Sequence, residues 1–282
     1  MPLTVRCKLL LLFILLHAAS AQSQQQAEPP ECMQVIRLTL GAIPWTSASL
    51  THLWSKKISR HLDDTSCIEL SFKSARNFEQ FIEAAIVGDF DIAHVPAHIA
   101  SYLILHHGFT AIAQGEWDGD TLFVTRLDST IESIDDSAKA IIAVPDPLAL
   151  VTLFAKQFYA SQPSAIPRYL EFSNHDAVLH ALLEGQVDSG VILAPIYNGY
   201  SRVIKGKLRI LQRVKTNTQG YLIARENIDP LSATAVIDSL SSFDIGTDLL
   251  WAKWLPISSN QVAQLHVHYA EYVKIINSKF GH

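Results

Sequence analysis

One pattern occurs twice in the chain: an amphipathic helix, then Gly-x-x-Asp, then a short apolar strand that leads to a proline. The first copy, FIEAAIVGDFDIAHVP, spans residues 81–96, and the second, VLHALLEGQVDSGVILAP, spans residues 178–195. In both copies apolar side chains recur at helical spacing until Gly88 or Gly185, a residue type that ends helices. A helix followed by a buried strand, twice in one chain, predicts two α/β lobes of similar construction.

Strands and helices also alternate along the rest of the chain, and residues 230–280 are predicted to be mostly helical. Short apolar or alternating runs predict strands at residues 35–40, 66–72, 90–95, 121–125, 140–144, 168–172, 187–193, 208–214 and 219–224. This order predicts an α/β fold of two Rossmann-like lobes with mostly parallel sheets, joined by a two-strand hinge. We expect residues 31–123 plus 218–282 to form lobe 1 and residues 124–217 to form lobe 2.

The first 21 residues have the features of a secretory signal peptide. Arg6 and Lys8 precede an apolar run at residues 9–16, and Ala-Ser-Ala at residues 19–21 fits a cleavage site. We expect cleavage after Ala21 and a periplasmic location. Residues 22–30, QSQQQAEPP, are polar and predict a tether that does not pack into a hydrophobic core.

The net charge excludes several kinds of partner. The whole chain carries −5, and loss of Arg6 and Lys8 with the leader lowers this to −7. The charged residues are scattered and form no basic run, which argues against a nucleic-acid or acidic-membrane partner. After the leader, no apolar run is long enough to span a bilayer.

Two cysteines remain after removal of the leader, Cys32 and Cys67. Each precedes a predicted strand, so if these strands are parallel neighbours the two side chains lie at one end of the sheet. An oxidising compartment favours a Cys32–Cys67 disulfide. The alternative is a thiol pair that binds a soft metal or metalloid.

The leader and three later segments resemble a known family. The segments are DIAHVPAH at residues 91–98, AVPDPLALVT at residues 143–152 and NHDAVLHALLEGQVDSG at residues 174–190. They resemble the periplasmic solute-binding proteins for phosphonate and phosphite, which serve ABC importers, and the resemblance covers roughly residues 35–276. It implies the type II periplasmic binding protein fold, an interlobe cleft that closes on a small oxyanion or phosphonate-like ligand, and an ABC permease as partner. Family members use the His and the Asp of the last segment at the ligand, which carries over to His175 and Asp188.

The chain departs from this family at two places near the expected cleft. The family has a Ser-Thr-Ser type cluster where hydroxyl groups and a helix N-terminus hold phosphonate oxygens. Here the same place reads Leu148-Ala149-Leu150, and Thr152 carries the first hydroxyl. The family also tends to have a Tyr after the first-copy strand, where this chain has His98. We therefore expect either a less polar ligand or one that takes its donors from other side chains.

The remaining candidates lie in loops at the carboxyl ends of predicted strands, where open α/β sheets bind ligands. Trp45 can close over a ligand, and Arg76 can bind an oxyanion. His94 and His98, four residues apart, could line the cleft, pack in the core or form a two-His metal site. The full set of predicted ligand-binding residues is Trp45, Thr46, Arg76, His94, His98, Asp146, Leu148, Thr152, Ser173, His175 and Asp188.

We expect a monomeric binding protein without cofactor or metal rather than an enzyme. The sequence contains no Gly-x-Ser-x-Gly, Walker, His-Glu-x-x-His or dinucleotide-binding pattern. Two alternatives stay open. The first is a ligand-sensing periplasmic partner of a membrane histidine kinase, which the lost hydroxyl cluster motivates. The second is a secreted metal-dependent enzyme that uses His94, His98, His175 and Asp188.

Overall fold

A computed structural model describes residue 32 and residues 34–116, 119–216, 218–243 and 253–281 of the chain. The predicted signal peptide, its cleavage site and the polar tether lie outside these residues. Among the helices of the described ranges, none combines the length and the apolar character that crossing a bilayer requires.

The first sheet is built mainly before the chain crosses to the second lobe. Its early elements are β1 (Ile36–Ala42), α1 (Ala48–Thr65), β2 (Ile68–Lys73), α2 (Phe78–Val87), β3 (Ile92–Pro96), α3 (Ala97–His106) and β4 (Phe109–Glu116). The chain returns to this lobe after the second one, with β10 (Gly220–Arg225), α9 (Pro230–Ser241), β11 (Lys253–Pro256), α10 (Ser259–His268) and α11 (Ala270–Phe280).

The second lobe is one continuous stretch between these two parts. Its elements are β5 (Thr121–Arg126), α4 (Ile134–Ser137), β6 (Ile141–Val144), α5 (Leu150–Ala160), β7 (Arg168–Glu171), α6 (His175–Leu183), β8 (Ser189–Leu193), α7 (Ala194–Gly199), α8 (Arg202–Lys205) and β9 (Leu208–Val214). All of β5 belongs to the second sheet, so the predicted lobe boundary between residues 123 and 124 falls inside this strand.

The two sheets have the orders β11-β4-β10-β3-β1-β2 and β7-β6-β8-β5-β9. The prediction of two α/β lobes is confirmed, and the parallel pairing holds for β2-β1-β3 and β7-β6-β8. The other described pairings are antiparallel. The reason is that β5 and β10 enter their sheets from the opposite lobe, beside the carboxyl ends of β8 and β3, and therefore run back down the sheet.

The predicted disulfide is present. Parallel pairing aligns Ile36 with Ile68, so the residues before β1 and β2 lie at the same end of the sheet. Cys32 and Cys67 are bonded there, with their Cα atoms 5.5 Å apart. The alternative of a thiol pair holding a soft metal is therefore wrong for this structure.

The two copies of the repeated pattern end their helices in the same way. Gly88 and Gly185 adopt the left-handed conformation, with φ of 98° and 73°. In each copy the next residue donates its N–H to a carbonyl five positions earlier, from Asp89 to Ala84 and from Gln186 to Ala181, both at 3.0 Å. This double turn is the Schellman arrangement, which favours glycine because an L side chain is strained there.

The aspartate of each Gly-x-x-Asp then fixes the next strand to its neighbour. Asp91 Oδ2 accepts the N–H of Thr39 at 2.7 Å, and Asp188 Oδ2 accepts the N–H of Ile141 at 2.8 Å. Both aspartates also donate their backbone N–H to the carbonyl of the same partner residue, at 3.0 Å. The repeated motif is thus a device that starts a parallel strand.

One apolar core runs through both lobes. It joins Trp45, Phe78 and Phe81 of the first lobe to residues of the second lobe such as Leu150 and Ile192, all of them buried. A second cluster, which includes Leu40, Ile58, Leu62 and Trp254, fills the opposite face of the first sheet. The lobes are therefore packed directly against each other in this structure.

Candidate functional site

The carboxyl ends of the parallel strands in both sheets meet at the interface between the lobes. β3 ends at Pro96, which is paired with Gly220 where the chain re-enters the first lobe. β8 ends at Leu193, which is paired with Thr121 where the chain enters the second lobe. Because both crossings lie at these edges, the interlobe interface has the position that ligand sites take in open α/β folds.

Asp146 crosses this interface from the second lobe. It follows β6 and is buried, and its Oδ2 accepts the N–H of Phe78, the first residue of α2, at 2.9 Å. Its Oδ1 accepts the N–H of Leu148 at 2.9 Å. Burial raises the pKa of the Asp146 carboxyl above its usual value, while the two N–H groups and Lys279 oppose that rise.

Asp176 makes the matching contact to α1. Its Oδ2 accepts the N–H of Ser47, the residue that caps α1, at 2.6 Å, and its Oδ1 accepts the hydroxyl of Tyr200 at 3.2 Å. Burial, followed by the Asp176 carboxylate, raises the pKa of the Tyr200 phenol. The N-termini of α1 and α2 therefore each receive a carboxylate of the second lobe, and a negative charge is favourable at a helix N-terminus.

Three buried histidines surround the same interface. His98 Nε2 lies 2.8 Å from the carbonyl oxygen of Leu148 in the other lobe; because that oxygen only accepts, Nε2 carries the proton. The backbone N–H of His175 donates to Trp45 O at 3.1 Å, again across the interface. His94 stacks on Trp45, with ring centroids 5.5 Å apart.

Burial keeps all three histidines neutral. Desolvation lowers the pKa of His94 and His175 to about 3. It lowers the pKa of His98 to about 4, with a small opposing effect from its bond to Leu148. The imidazoles therefore act as uncharged groups of the interface at neutral pH.

Apolar side chains fill the middle of the cleft. Leu148 and Leu150 are buried at the place where the resemblance leads us to expect hydroxyl groups. The Thr152 hydroxyl donates to Pro145 O at 3.1 Å, so its hydrogen bond stabilises the loop that precedes α5. The remaining cavity, bordered by Trp45 and His175 among others, has a volume of about 10 Å³. That is close to the space of one water molecule, so a larger solute requires the lobes to separate.

A larger cavity lies at the rim of the cleft on the first lobe, with a volume of about 430 Å³. It is bordered by the carboxyl ends of β1 and β2, by the first turns of α1 and by Asn174 of the second lobe. We call it the rim pocket, and its residues are Ala42, Pro44, Thr46, Ala48, Thr51, His52, Ser55, Phe72, Lys73, Ser74, Ala75, Arg76 and Asn174. Two predicted ligand residues, Thr46 and Arg76, belong to it.

The structure places Asp188, one of the predicted ligand residues, away from the interlobe edge of the second sheet. Asp188 precedes β8 and is exposed, whereas the interlobe edge of that strand is at Leu193. Five strand residues separate the two ends by roughly 15 Å. Its carboxylate is bonded to the N–H of Ile141, so the structure gives it the strand-starting role described above.

The structure also separates the residues of the proposed metal site. Within the described ranges, no group of three or more His, Cys, Asp or Glu side chains converges as a metal ion would require. His98 is bonded to Leu148, and Asp188 lies at the opposite edge of the second sheet. Ser173 is exposed, and its hydroxyl accepts the Asn174 amide at 3.2 Å.

Several residues of the interface have no distinctive sequence signal. Asp176 has the clearest sequence signal among them, because it directly follows the predicted His175 at a helix start. Asn174 reaches the rim pocket of the first lobe only because the lobes dock as they do.

Comparisons with solved structures support the fold. The chain is similar to a binding protein component of an ABC phosphonate transporter from Pseudomonas aeruginosa, with a TM-score of 0.64, 17% identity, and coverage of 86% of this chain and 89% of that one. It is also similar to PhnD1 from Prochlorococcus marinus, solved with methylphosphonate. The TM-score is 0.68 at 15% identity, and the match covers 86% of this chain and 98% of that one. A third similar structure is the alkanesulfonate-binding protein SsuA from Xanthomonas axonopodis pv. citri, bound to MOPS. Its TM-score is 0.55 at 14% identity, and the match covers 86% of this chain and 95% of that one. No curated protein matches the sequence.

The two lobes, the crossings at the carboxyl edges and these neighbours define the class of type II periplasmic binding proteins. Within that class, residues 40–255, more than half of the chain, match the family described as the periplasmic substrate-binding protein of ABC phosphonate transporters. The chain belongs to this family, and the predicted family, fold class and general function are confirmed.

Proposed function

We propose that the protein captures a small anionic solute of the phosphonate or sulfonate kind by closing its two lobes, and delivers it to an ABC permease. The observation that carries the proposal is the pair of carboxylate contacts, from Asp146 to Phe78 and from Asp176 to Ser47, which join opposite lobes. The neighbours bound to methylphosphonate and to MOPS support an anionic solute.

The same contacts suggest how closure works without a phosphonate oxygen at the helix ends. In the closed form, the N-termini of α1 and α2 are satisfied by the protein's own carboxylates. Opening the lobes exposes both helix ends and both carboxylates to water. Closure therefore needs only a modest contribution from the solute, because much of the interface is complementary by itself.

We expect the mature protein to act as a periplasmic monomer that binds its solute without turnover. The permease is the expected partner, since the family serves ABC transporters. No finding supports the alternative role as partner of a sensor kinase. Light scattering of the purified mature chain tests the monomer, and uptake of labelled solute by vesicles that contain the permease tests delivery.

Titration calorimetry with four probes tests binding itself: methylphosphonate, methanesulfonate, inorganic phosphate and acetate. We expect saturable binding of at least one probe, together with a higher melting temperature, because a ligand that binds only the folded protein stabilises it. Small-angle scattering of the same samples reports whether the bound form is the compact one. If all four probes fail to bind at millimolar concentration, the proposed function is wrong.

A further inference from the structure

The rim pocket carries two cations without a counter-charge from the protein. The side chains of Lys73 and Arg76 are exposed, and neither forms an ion pair or hydrogen bond with another described residue. No acidic side chain of the described residues borders the pocket. By contrast Arg37, on the same sheet, is paired with Glu69 at 2.8 Å. Two unneutralised cations beside one cavity, in a chain of net charge −5, point to an anionic occupant.

The walls of the pocket offer further hydrogen-bond donors. The hydroxyl oxygens of Thr46 and Thr51 lie 3.5 Å apart, so at most one of their two protons serves the contact between them. The first turn of α1 also borders the pocket and contains no acidic residue of its own, although the Asp176 carboxylate of the second lobe accepts the N–H of Ser47 just before it. An oxyanion in the pocket can therefore receive donors besides the two cations.

The pocket also has an apolar side. Phe72 and Pro44 border it, and its volume of about 430 Å³ exceeds what a bare inorganic anion fills. Pockets of this size suit small organic molecules. The combination favours an anion that carries a short organic group.

The second lobe completes the pocket through Asn174. The Asn174 amide donates one N–H to Ser173 at 3.2 Å, and its other N–H remains for a partner. Because Asn174 reaches the first lobe only when the lobes are together, a solute seated here contacts both lobes in the closed form alone. Binding in the rim pocket would thus favour closure.

We infer that the rim pocket, rather than the apolar middle of the cleft, holds the anionic head of the transported solute, with Lys73 and Arg76 as its counter-charges. This inference rests on the proposed function and assigns its site. The expected solute is a small organic phosphonate, sulfonate or carboxylate whose organic group packs on Phe72 and Pro44. Arg76 can contact two oxygens of such a head at once, whereas Lys73 supplies a point charge.

A charge-matched pair of double variants tests the site. K73Q/R76Q removes both cations of the rim pocket, and K56Q/K57Q removes two exposed lysines of α1 that lie outside the pocket. Calorimetry with the best-binding probe should show at least tenfold weaker binding for K73Q/R76Q and a change of less than twofold for K56Q/K57Q. Melting temperatures should show that both variants remain folded, because all four side chains are on the surface.

The outcomes separate the inference from the proposed function. If wild type and K73Q/R76Q bind the probe equally, or if both double variants weaken binding to the same degree, the rim pocket is the wrong site. In either case, saturable binding that compacts the lobes leaves the proposed function standing. If no probe binds the wild type, both the rim-pocket inference and the proposed function are wrong.

Discussion

At the scale of single residues, the interface depends on two aspartates whose partners are backbone N–H groups. A carboxylate accepting from an N–H at a helix N-terminus forms a charge-assisted hydrogen bond, stronger than a bond between neutral groups. Asp146 is buried, while Asp176 is only partly buried and shares its charge between Ser47 and Tyr200. Asp176 is therefore the safer position at which to weaken closure without unfolding a lobe.

We expect Asp176→Asn to shift the protein toward a more open form. The change removes the charge and leaves a weaker amide acceptor for Ser47, which should cost the closed form about 1–2 kcal/mol. Small-angle scattering of the ligand-free protein should then show a larger radius of gyration. Asp135→Asn, at an exposed position of the second lobe, provides the control. Scattering curves for D176N and D135N that superimpose would show that Asp176 does not hold the lobes together.

The buried histidines predict a loss of stability in mild acid. The folded-state pKa is about 3 for His94 and His175 and about 4 for His98, well below the unfolded value of 6.5. Below pH 6.5 the unfolded chain binds more protons than the folded one, so the free energy of unfolding falls as pH falls. Each histidine should cost about 1.4 kcal/mol between pH 7.5 and 5.5, or about 4 kcal/mol together.

Urea unfolding of the mature protein at pH 7.5 and 5.5 measures this difference. In His175→Gln the difference between the two pH values should shrink by about 1.4 kcal/mol, whatever the substitution does to stability at either pH. A pH-independent unfolding free energy over this range would mean that the three imidazoles are accessible to protons in the folded state.

The sequence predicted which residues lie at the interlobe interface better than it predicted what those residues contact. Trp45, His98 and Asp146 follow predicted strands and His175 comes from the family resemblance, and the structure brings all four to the interlobe interface. Asp176 was missed because its partner Ser47 is 129 residues away, and no local pattern encodes how two lobes dock. Asp188 was assigned to the ligand from the resemblance alone.

At the scale of secondary-structure elements, the repeated helix–Gly-x-x-Asp–strand unit gives Asp188 a structural role that needs no ligand. Its twin, Asp91, makes the same contact in the first lobe. Since one residue type at one spacing serves the same structural purpose in both sheets, the unit requires no ligand to account for its aspartate.

We therefore expect Asp91→Ala and Asp188→Ala to lower stability to a similar degree. Each removes the acceptor of a backbone N–H, in a partly buried contact at Thr39 and an exposed contact at Ile141, at a cost of about 0.5–1.5 kcal/mol. Urea unfolding measures the loss, and Asp89→Ala, an exposed neighbour in the first copy, is the control. Solute affinity of Asp188→Ala should stay within twofold of the wild type. A large loss of affinity at unchanged stability would show that Asp188 contributes to solute binding.

Among the described strands, the two that the sequence did not reveal are β4 and β11. Residues 109–116, FTAIAQGE, contain small and polar side chains, and β11 has four residues and ends in proline. The two pair with each other antiparallel, Lys253 beside Glu116, across a long stretch of chain. Strands of this kind are held by non-local pairing, whereas β3 and β8 could be predicted because each is a buried apolar run after a helix stop.

At the scale of the whole molecule, the hinge must allow two lobes that share one apolar core to separate. The two crossings touch at Gly119: its carbonyl accepts the Thr218 N–H at 3.3 Å and the Thr216 hydroxyl at 2.7 Å. Thr121 and Thr216 add a hydroxyl contact at 3.2 Å. These bonds tie the crossings into a narrow ribbon, about which the lobes can rotate while each sheet stays intact.

Gly119 permits that ribbon because it has no side chain. A Cβ placed there would lie 1.5 Å from the carbonyl oxygen of Thr218, a backbone atom that cannot turn away. We expect Gly119→Ala to force the crossings apart, change the angle between the lobes and weaken solute binding about tenfold, because the rim pocket needs Asn174 against the first lobe. Gly206→Ala is the control, since its Cβ would meet the nearest backbone oxygen at 3.2 Å within the second lobe. Scattering and calorimetry on both variants decide the matter: a G119A protein with wild-type scattering and affinity would show that the hinge adapts, and that closure does not depend on the close contact between its two strands.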